Sequence, residues 1–212
     1  MKGVSFLGYH SFRDLHLLLT EKEIGSPEVK RQTIDIDGAD GELDFTDFFG
    51  EPKYQNAQHR FSFESIQPRN EQLSQFTEIK NRIHGKKGRI ILDDDPSFFY
   101  VGRCFVSSYK NEHGIGRIMV ECDCEPYKYK MQPTIMSVTV DGTQDITLTN
   151  GRKRAVPVIT TTADMTIVFG DGTWTHGTGT FTIPELELVE GENIVMVTGT
   201  GKITFTWQEG DL

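Results

Sequence analysis

The chain has 212 residues, of which 36% are hydrophobic and 10% aromatic, and its formal net charge is −9. This composition belongs to a folded protein that is large enough to bury a core, and it disfavours intrinsic disorder. The negative charge disfavours tight nucleic-acid binding, because a protein that grips phosphates needs a surplus of Lys and Arg. The charge is uneven: residues 1–132 carry 18 Lys and Arg against 21 Asp and Glu, and the remaining residues carry 4 against 10.

The start of the chain lacks the continuous apolar segment and the small-residue cleavage site of a secretory signal. No apolar run approaches the length of a membrane span, so we expect no membrane partner. Three cysteines, an odd number, argue against a disulfide framework. Together these features predict a protein made in a reducing cytoplasm.

Apolar and polar residues alternate loosely at the beginning of the chain, a pattern typical of β-strands. Phe61 and Phe63 are a clear case, because they share one face of the run RFSFESI. The Gly-rich run GADGELDF predicts a turn into another short strand or edge. The strands predicted in this part lie around residues 4–6, 15–19, 34–36 and 61–63.

Residues 70–84 form the one predicted helix. Asn70 is a favourable N-cap residue, and Gly85 supplies the glycine that often follows a helix. Apolar residues recur inside this segment at spacings of three and four, which predicts a stripe that packs on a sheet. The stripe consists of Leu73, Phe76, Ile79 and Ile83.

Further strands are predicted after the helix, and Pro126 and Pro133 bracket a predicted linker. From Ile135 onward, short strands follow one another closely, with a predicted turn at Asp141-Gly142 and another at Asn150-Gly151. This spacing is typical of an antiparallel sandwich. We therefore predict a mainly β fold of two β-sandwich domains, residues 1–132 with one packed helix and residues 133–212.

Two clusters have metal-binding residue types. Asp93, Asp94 and Asp95 suit a hard cation, but Asp-Pro is common in turns, and a solvated turn is favoured. Cys122-x-Cys124 together with Cys104 gives three thiols, but zinc sites usually have two to four residues between paired cysteines. Two thiols on one strand face suit small buried side chains, so no metal and no cofactor are expected.

None of the six histidines lies in a recognisable catalytic motif, and no G-x-S-x-G sequence is present. The sequence therefore predicts a protein that is not an enzyme. A hydrolase whose site assembles only in the folded chain remains an alternative.

Trp174 and Trp207 are candidate platforms for stacking against sugars. Trp207 is in phase with Ile203 and Phe205, which favours a core position. Trp174 follows the tip-like Gly-Asp-Gly, which makes it the candidate for a weak glycan-binding platform. A carbohydrate-binding sandwich that recognises cell-surface glycan is the alternative function.

Four stretches of the chain resemble the distal tail proteins of long, non-contractile-tailed bacteriophages and their prophages, the Sipho-tail family. They span nearly the whole chain in the order found in that family. The stretches are FLGYHSFRDLHLLL, EIKNRIHGKKGRIILDDDPSFFYVGR, GRIMVECDCEPYKY and VPVI with IPELELVEGENIVMVTGTGKITFTW.

This resemblance implies an N-terminal domain close in fold to tail-tube proteins that closes into a hexameric ring. It also implies a galectin-like or carbohydrate-module-like C-terminal domain that projects outward and carries receptor-binding or baseplate components. The implied function is a structural virion hub that joins the tail-tube protein to the tail-tip protein. The resemblance also implies that DNA passes through the lumen of the ring without specific binding.

A closed ring needs apolar surface at subunit contacts, and four N-terminal residues are candidates for it. They are Phe6, Leu15, Phe48 and Phe49. Packing in the domain's own core is the alternative for each. A lumen that passes DNA should not carry net positive charge, and the slightly acidic N-terminal part is consistent with that.

Overall fold

The computed structural model describes residues 2–38, 40–48 and 50–212. The chain divides into two compact units, Met1–Pro126 (unit 1) and Tyr127–Leu212 (unit 2). The predicted boundary lies slightly later, after residue 132. Most described residues of both units are in strands, and they include one helix, so the mainly β fold class is confirmed.

Unit 1 is built on one antiparallel sheet and a separate two-stranded ribbon. Its strands are β1 (Val4–Phe6), β2 (Tyr9–His10), β3 (Leu17–Ile24), β4 (Thr33–Asp35), β5 (Glu42–Asp44), β6 (Ala57–Ser65), β7 (Lys87–Leu92), β8 (Phe98–Glu112) and β9 (Ile115–Lys130). The sheet order is β2-β1-β7-β8-β9-β6-β3, and β4 pairs with β5. The last four residues of β9 belong to unit 2.

Pro126 lies inside β9 rather than at the start of a linker, which corrects the prediction. The pairing of β9 with β6 ends at Ala57 and Cys124. Pro126 therefore does not interrupt that ladder, although it has no N–H to donate. The chain continues as a strand as far as Lys130.

Aromatic rings fill the core of unit 1. Phe6 meets Phe61 and Phe63 edge-on, with ring centroids 5.4 and 6.0 Å apart. Ile79 and Ile83 of the helix pack into the same cluster. The alternation predicted for these strands is confirmed, since inward residues of β6 and β9 are buried and their neighbours are not.

The predicted helix is present as α1 (Gln72–Ile83). Its N-cap is Glu71 rather than Asn70, and no side chain caps it. Gly85 follows with a φ of 75°, a conformation that favours glycine, as predicted. Leu73, by contrast, is 63% exposed, so its predicted place in the buried stripe is wrong.

Two glutamines take the place of Leu73 on the buried face of α1. Gln75 donates from Nε2 to the carbonyl oxygens of Leu15 (2.6 Å) and His16 (3.2 Å). Gln72 donates from Nε2 to the carbonyl oxygens of Gln67 and Gly114, each at 3.1 Å. Because these amides satisfy loop carbonyls, they are buried without an unpaired polar group.

Unit 2 contains seven further strands, six of which form one antiparallel sheet. They are β10 (Thr134–Asn150), β11 (Val158–Thr161), β12 (Met165–Phe169), β13 (Gly172–His176), β14 (Gly179–Thr182), β15 (Gly191–Trp207) and β16 (Gly210–Asp211). The order is β13-β12-β15-β11-β14, and β10 pairs with β15 along its whole length. The short β16 pairs with the end of β9.

The long strand β15 changes partner part-way along. Its residues 196–199 pair with β12, and its residues 203–206 pair with β11. Gly142 of β10 lies opposite Gly199 and has a φ of 87°. The turn predicted at Asp141-Gly142 is therefore wrong, because β10 continues through this position without losing register.

The inward residues of β10 and β15 form the core of unit 2. Trp207, Ile203 and Phe205 are all buried in it, as their phase in the sequence predicted. The two-residue hairpin at Gly170-Asp171 joins β12 to β13, at the predicted tip.

Candidate assembly surface

The structure separates the four residues predicted at a ring interface. Phe6 and Leu15 are buried in the core of unit 1, so the interface prediction is wrong for them and the core alternative is correct. A side chain enclosed by its own domain has no surface to offer a neighbour. Phe48 is 71% exposed, and Phe49 lies outside the described residues.

Phe48 belongs to a long excursion between β3 and β6, residues 26–56, which we call the arm. The arm leaves the sheet at Gly25, whose N–H donates to the carbonyl oxygen of Gln58 at 3.1 Å. A bridge between Val29 and Tyr54 and the β4–β5 ladder then pair its outgoing and returning halves. The arm is therefore a two-stranded ribbon rooted beside β6.

Backbone hydrogen bonds hold the two halves of the arm together. The Lys30 N–H donates to the Lys53 carbonyl at 2.7 Å, and the Phe45 N–H donates to the Gln32 carbonyl at 2.7 Å. The arm's apolar side chains, however, are largely exposed: Ile34, Ile36, Leu43 and Phe48. An isolated two-stranded ribbon is only marginally stable in water, so this surface is suited to contact with another molecule.

Gly25 fixes the point where the arm leaves the sheet. A Cβ at this position would overlap the carbonyl oxygen of Gln58. We expect Gly25→Ala to destabilise unit 1 by about 1–3 kcal/mol, because the backbone must move to admit the methyl group. Chemical denaturation and amide exchange across the arm measure this, with the exposed neighbour in Ser26→Ala as the control. Equal stability of the two variants would contradict the close approach.

The three cysteines lie in the core of unit 1 as free thiols. The Sγ atoms of Cys104 and Cys122 are 3.5 Å apart. The hydrogen bond with Cys104 and burial raise the pKa of Cys122, and burial raises the pKa of Cys124 to about 12. Cys122 and Cys124 are therefore protonated packing groups, and among the described residues no three His, Cys, Asp or Glu side chains are placed to hold a metal ion.

Two of the three aspartates after β7 have different partners. Asp93 Oδ2 accepts from His10 Nε2 (2.9 Å) and from the Gly3 N–H (2.7 Å), whereas Asp94 pairs with Lys22. Burial raises the pKa of Asp93, but the bonds from His10 and Gly3 outweigh it and the pKa is lowered. The run is a turn that fastens the start of the chain to β7.

The His10–Asp93 pair has the appearance of a catalytic dyad but lacks a working base. His10 Nδ1 accepts from the N–H groups of Phe12 (3.1 Å) and Arg13 (3.2 Å). Nε2 therefore carries the proton and donates it to Asp93. With both ring nitrogens occupied, His10 positions backbone and has no lone pair left for a substrate.

His59 is a buried histidine of a different kind. It is 1% exposed, neither ring nitrogen has a hydrogen-bond partner, and its ring meets Tyr100 edge-on at 4.6 Å between centroids. Burial lowers the pKa of His59 below its usual 6.5. It is paired with Ile24 on β3, the last residue of that strand before the arm.

We expect His59 to make unit 1 sensitive to acid. Below about pH 6.5 the unfolded chain binds a proton that folded His59 does not, so the free energy of unfolding falls as the pH drops toward the folded pKa. His59→Phe should flatten this part of the pH profile, and the exposed His113→Asn should not. Denaturation curves between about pH 5 and 8 measure the effect. Identical slopes for wild type and His59→Phe would contradict it.

Trp174 lies in β13, half-buried against the core of unit 2. Its ring covers Gly172, where a Cβ would overlap it. Only part of the indole is therefore presented to solvent, and the glycan platform at Trp174 stays a prediction.

Within the part of the chain that the structure describes, no helix has the length and apolar character needed to cross a membrane. No protein-family model matches the chain, and no curated protein matches it. The fold, however, is similar to the crystal structure of SPP1 Dit (gp 19.1), with a TM-score of 0.73 over 100% of both chains. The chain has a distal tail protein fold.

SPP1 Dit is presented as a paradigm of the hub adsorption apparatus in phages that infect Gram-positive bacteria. The two sequences are only 14% identical, so the likeness establishes the fold. It confirms at the level of fold the resemblance found in the four sequence stretches. Sequence reasoning placed a turn and short strands in residues 26–56 but missed the arm they form.

Proposed function

We propose that this protein is a structural component of a phage or prophage tail, a distal tail hub that forms a hexameric ring. The observation that carries the proposal is the fold shared along the whole chain with SPP1 Dit, itself a hub of an adsorption apparatus. The proposed site of action is the virion tail tip, after synthesis in the cytoplasm of the bacterial host.

The surfaces of the chain support a role in assembly rather than in chemistry. The groups that resemble catalytic or metal-binding ones have structural roles. Both ring nitrogens of His10 are hydrogen-bonded to neighbouring residues, and the cysteines are buried thiols. The arm, in contrast, exposes apolar side chains, including Phe48. Such a surface is typical of a protein that contacts its own copies or partners.

The ring joins the tail-tube protein on one side to the tail-tip protein on the other. Unit 2, which we propose to be galectin-like, docks receptor-binding or baseplate components. DNA passes through the lumen without being held, because a chain of net charge −9 offers few cations for phosphates to bind.

The mass of the purified protein in solution tests the proposal. Light scattering at several concentrations should reveal a species of six times the 24.0 kDa of one chain, and negative-stain images should show rings. If the isolated protein is a monomer, added tail-tube protein should produce rings. A protein that stays monomeric and unbound in that mixture is not a tail hub.

A further inference from the structure

We infer that the free edge of strand β10 is a docking site for an extended segment of another tail protein, which adds to the sheet of unit 2 as a further β-strand. This inference deepens the docking role proposed above for unit 2 and rests on it. The part of β10 that carries the site is residues 134–140. The added segment is uncharged where it pairs with them and has a Lys or Arg beside Asp141.

Strand β10 has one paired edge and one free edge. It pairs with β15 along its whole length, from Thr134 to Asn150. The other edge of β15 is occupied by β11 and β12, so within the described part of the chain no strand pairs with the outer edge of β10. That edge presents a row of backbone N–H and C=O groups. An extended chain is the partner that can pair with such a row in register.

Residues 134–140 have the composition of a strand that pairs readily. The run TIMSVTV contains no charged residue, no Pro and no Gly, and most of its residues are β-branched. A segment of this length and composition is prone to pair with other chains when it lies at an open edge. A protein that keeps such an edge and stays folded and useful is expected to cover it with a partner.

The strands that end the two large sheets are otherwise short or charged. β2 has two residues, β14 four and β13 five. β3 is longer, but it contains Glu21, Lys22 and Glu23. Its pairing with β6 is also irregular after Leu19. Short length, charge and irregular pairing are means by which natural edge strands avoid other chains, and residues 134–140 have none of them.

Apolar side chains along the free edge lack the cover that a further strand would give. Met136 lies opposite Phe205, which is fully buried, so both side chains are on the core side of the sheet. Met136 is nevertheless 38% exposed, and Val138 on the same side is only half-buried. On the outer face Ile135 is exposed as well. An added strand with apolar side chains would remove these groups from water.

The charge beside the segment favours a partner other than a second copy. β10 contains Asp141 and Asp145, both exposed, and no Lys or Arg. If two β10 edges paired with each other, their carboxylates would come together on one ladder, and like charges in such positions are destabilising. A strand of a different protein with a Lys or Arg beside Asp141 is attracted instead. Such a strand is the occupant that fits this edge.

Peptide binding to the full-length protein tests the site. The probe is a short acetylated peptide of alternating Thr and Val with a Lys at each end. N-methyl groups on alternate residues block one of its edges, so that it does not stack on itself. We expect the peptide to slow amide exchange in residues 134–140. A control peptide with Pro at its centre should not, because Pro has no N–H to donate.

Met136→Lys and Met196→Lys form a matched pair of variants. The two methionines are 38% and 37% exposed, but Met196 lies on β15 and is paired on both sides. An added strand would bury the amine introduced by Met136→Lys, so this change should weaken peptide binding by at least about tenfold. Met196→Lys should bind the peptide as wild type does, and circular dichroism checks that both variants are folded.

Exchange of charge at Asp141 provides an independent test on an exposed side chain. Asp141→Lys should weaken binding of the peptide that ends in Lys. It should strengthen binding of a peptide that ends in Glu, because the attraction is re-established with opposite signs. Equal binding of the two peptides by wild type and by Asp141→Lys would contradict the assigned partner chemistry.

The outcomes separate this inference from the proposed function. Unchanged exchange in residues 134–140 at millimolar peptide, or equal binding by Met136→Lys and wild type, overturns the docking site and leaves a ring-forming hub standing. Protection that rises with the concentration of the protein alone shows a second copy at this edge and overturns the assigned partner. A chain that binds the peptide but never forms rings, even with tail-tube protein, overturns the hub and with it the assignment of the partner to the tail.

Discussion

Phe6→Ala is expected to destabilise unit 1 by about 3–5 kcal/mol, a large share of the roughly 5–15 kcal/mol by which an ordinary domain is stable. The Phe6 side chain is fully buried and meets Phe61 and Phe63 edge-on. Alanine removes most of the ring's buried area and leaves a cavity that the sheet and helix around it can fill only in part. Urea denaturation followed by near-UV circular dichroism measures the loss.

Phe48→Ala is the matched control, since it makes the same chemical change at an exposed position. It should alter the stability of the isolated chain by no more than about 0.5 kcal/mol. It should instead weaken ring assembly, because Phe48 lies on the arm. A Phe6→Ala protein with normal stability and a specific defect in assembly would show that the core assignment of Phe6 is wrong.

A single sequence does not distinguish Phe6 from Phe48, although Phe6 is buried in the core and Phe48 is exposed on the arm. Both are aromatic, and both lie near short runs with strand character. What separates them is long-range pairing: β1 is covered because it pairs with β7, some eighty residues later in the chain. Among the described residues of the arm, the ladder joins β4 to β5, which are close in the sequence. The local sequence pattern shows that a residue is apolar, but it does not show which other part of the chain covers that residue.

Periodicity predicted most of the fold where one face of an element is buried and the other is not. The alternating strands β6 and β9 and the phase of Trp207 are confirmed for this reason. The turn predicted at Asp141-Gly142 is wrong because a glycine can lie inside a long ladder as well as end it, and Gly142 is paired with Gly199 within β10 and β15. Which of the two occurs depends on β15, whose residues lie far away in the sequence.

Helix α1 shows a second reason why the spacing of apolar residues does not always predict which residues are buried. Its spacing predicted the element correctly but placed Leu73 inside, whereas Gln72 and Gln75 are buried instead. A binary pattern counts glutamine as polar and therefore as exposed. It has no information on the loop carbonyls that these amides satisfy, and those carbonyls decide the orientation of the helix.

Gln75→Ala is expected to cost about 2–4 kcal/mol in the stability of unit 1, the largest effect of any polar residue on α1. Gln75 accepts a hydrogen bond from the Ser65 hydroxyl and donates to the carbonyls of Leu15 and His16. His16 has a φ of 53°, an unfavourable conformation for a residue with a side chain. Without the amide, buried carbonyls lose their partner, at about 1–3 kcal/mol for each group.

Gln75→Met separates the hydrogen bonds from the packing, because it keeps the length of the side chain and removes the amide. We expect it to retain most of the destabilisation of Gln75→Ala, and the exposed neighbour in Ser74→Ala to show almost none. A methionine variant as stable as wild type would mean that Gln75 acts by volume alone. Because Gln75 and Gln72 bind loop carbonyls at the first turn of α1, loss of the Gln75 amide should also disorder that turn of the helix, and amide exchange measures this.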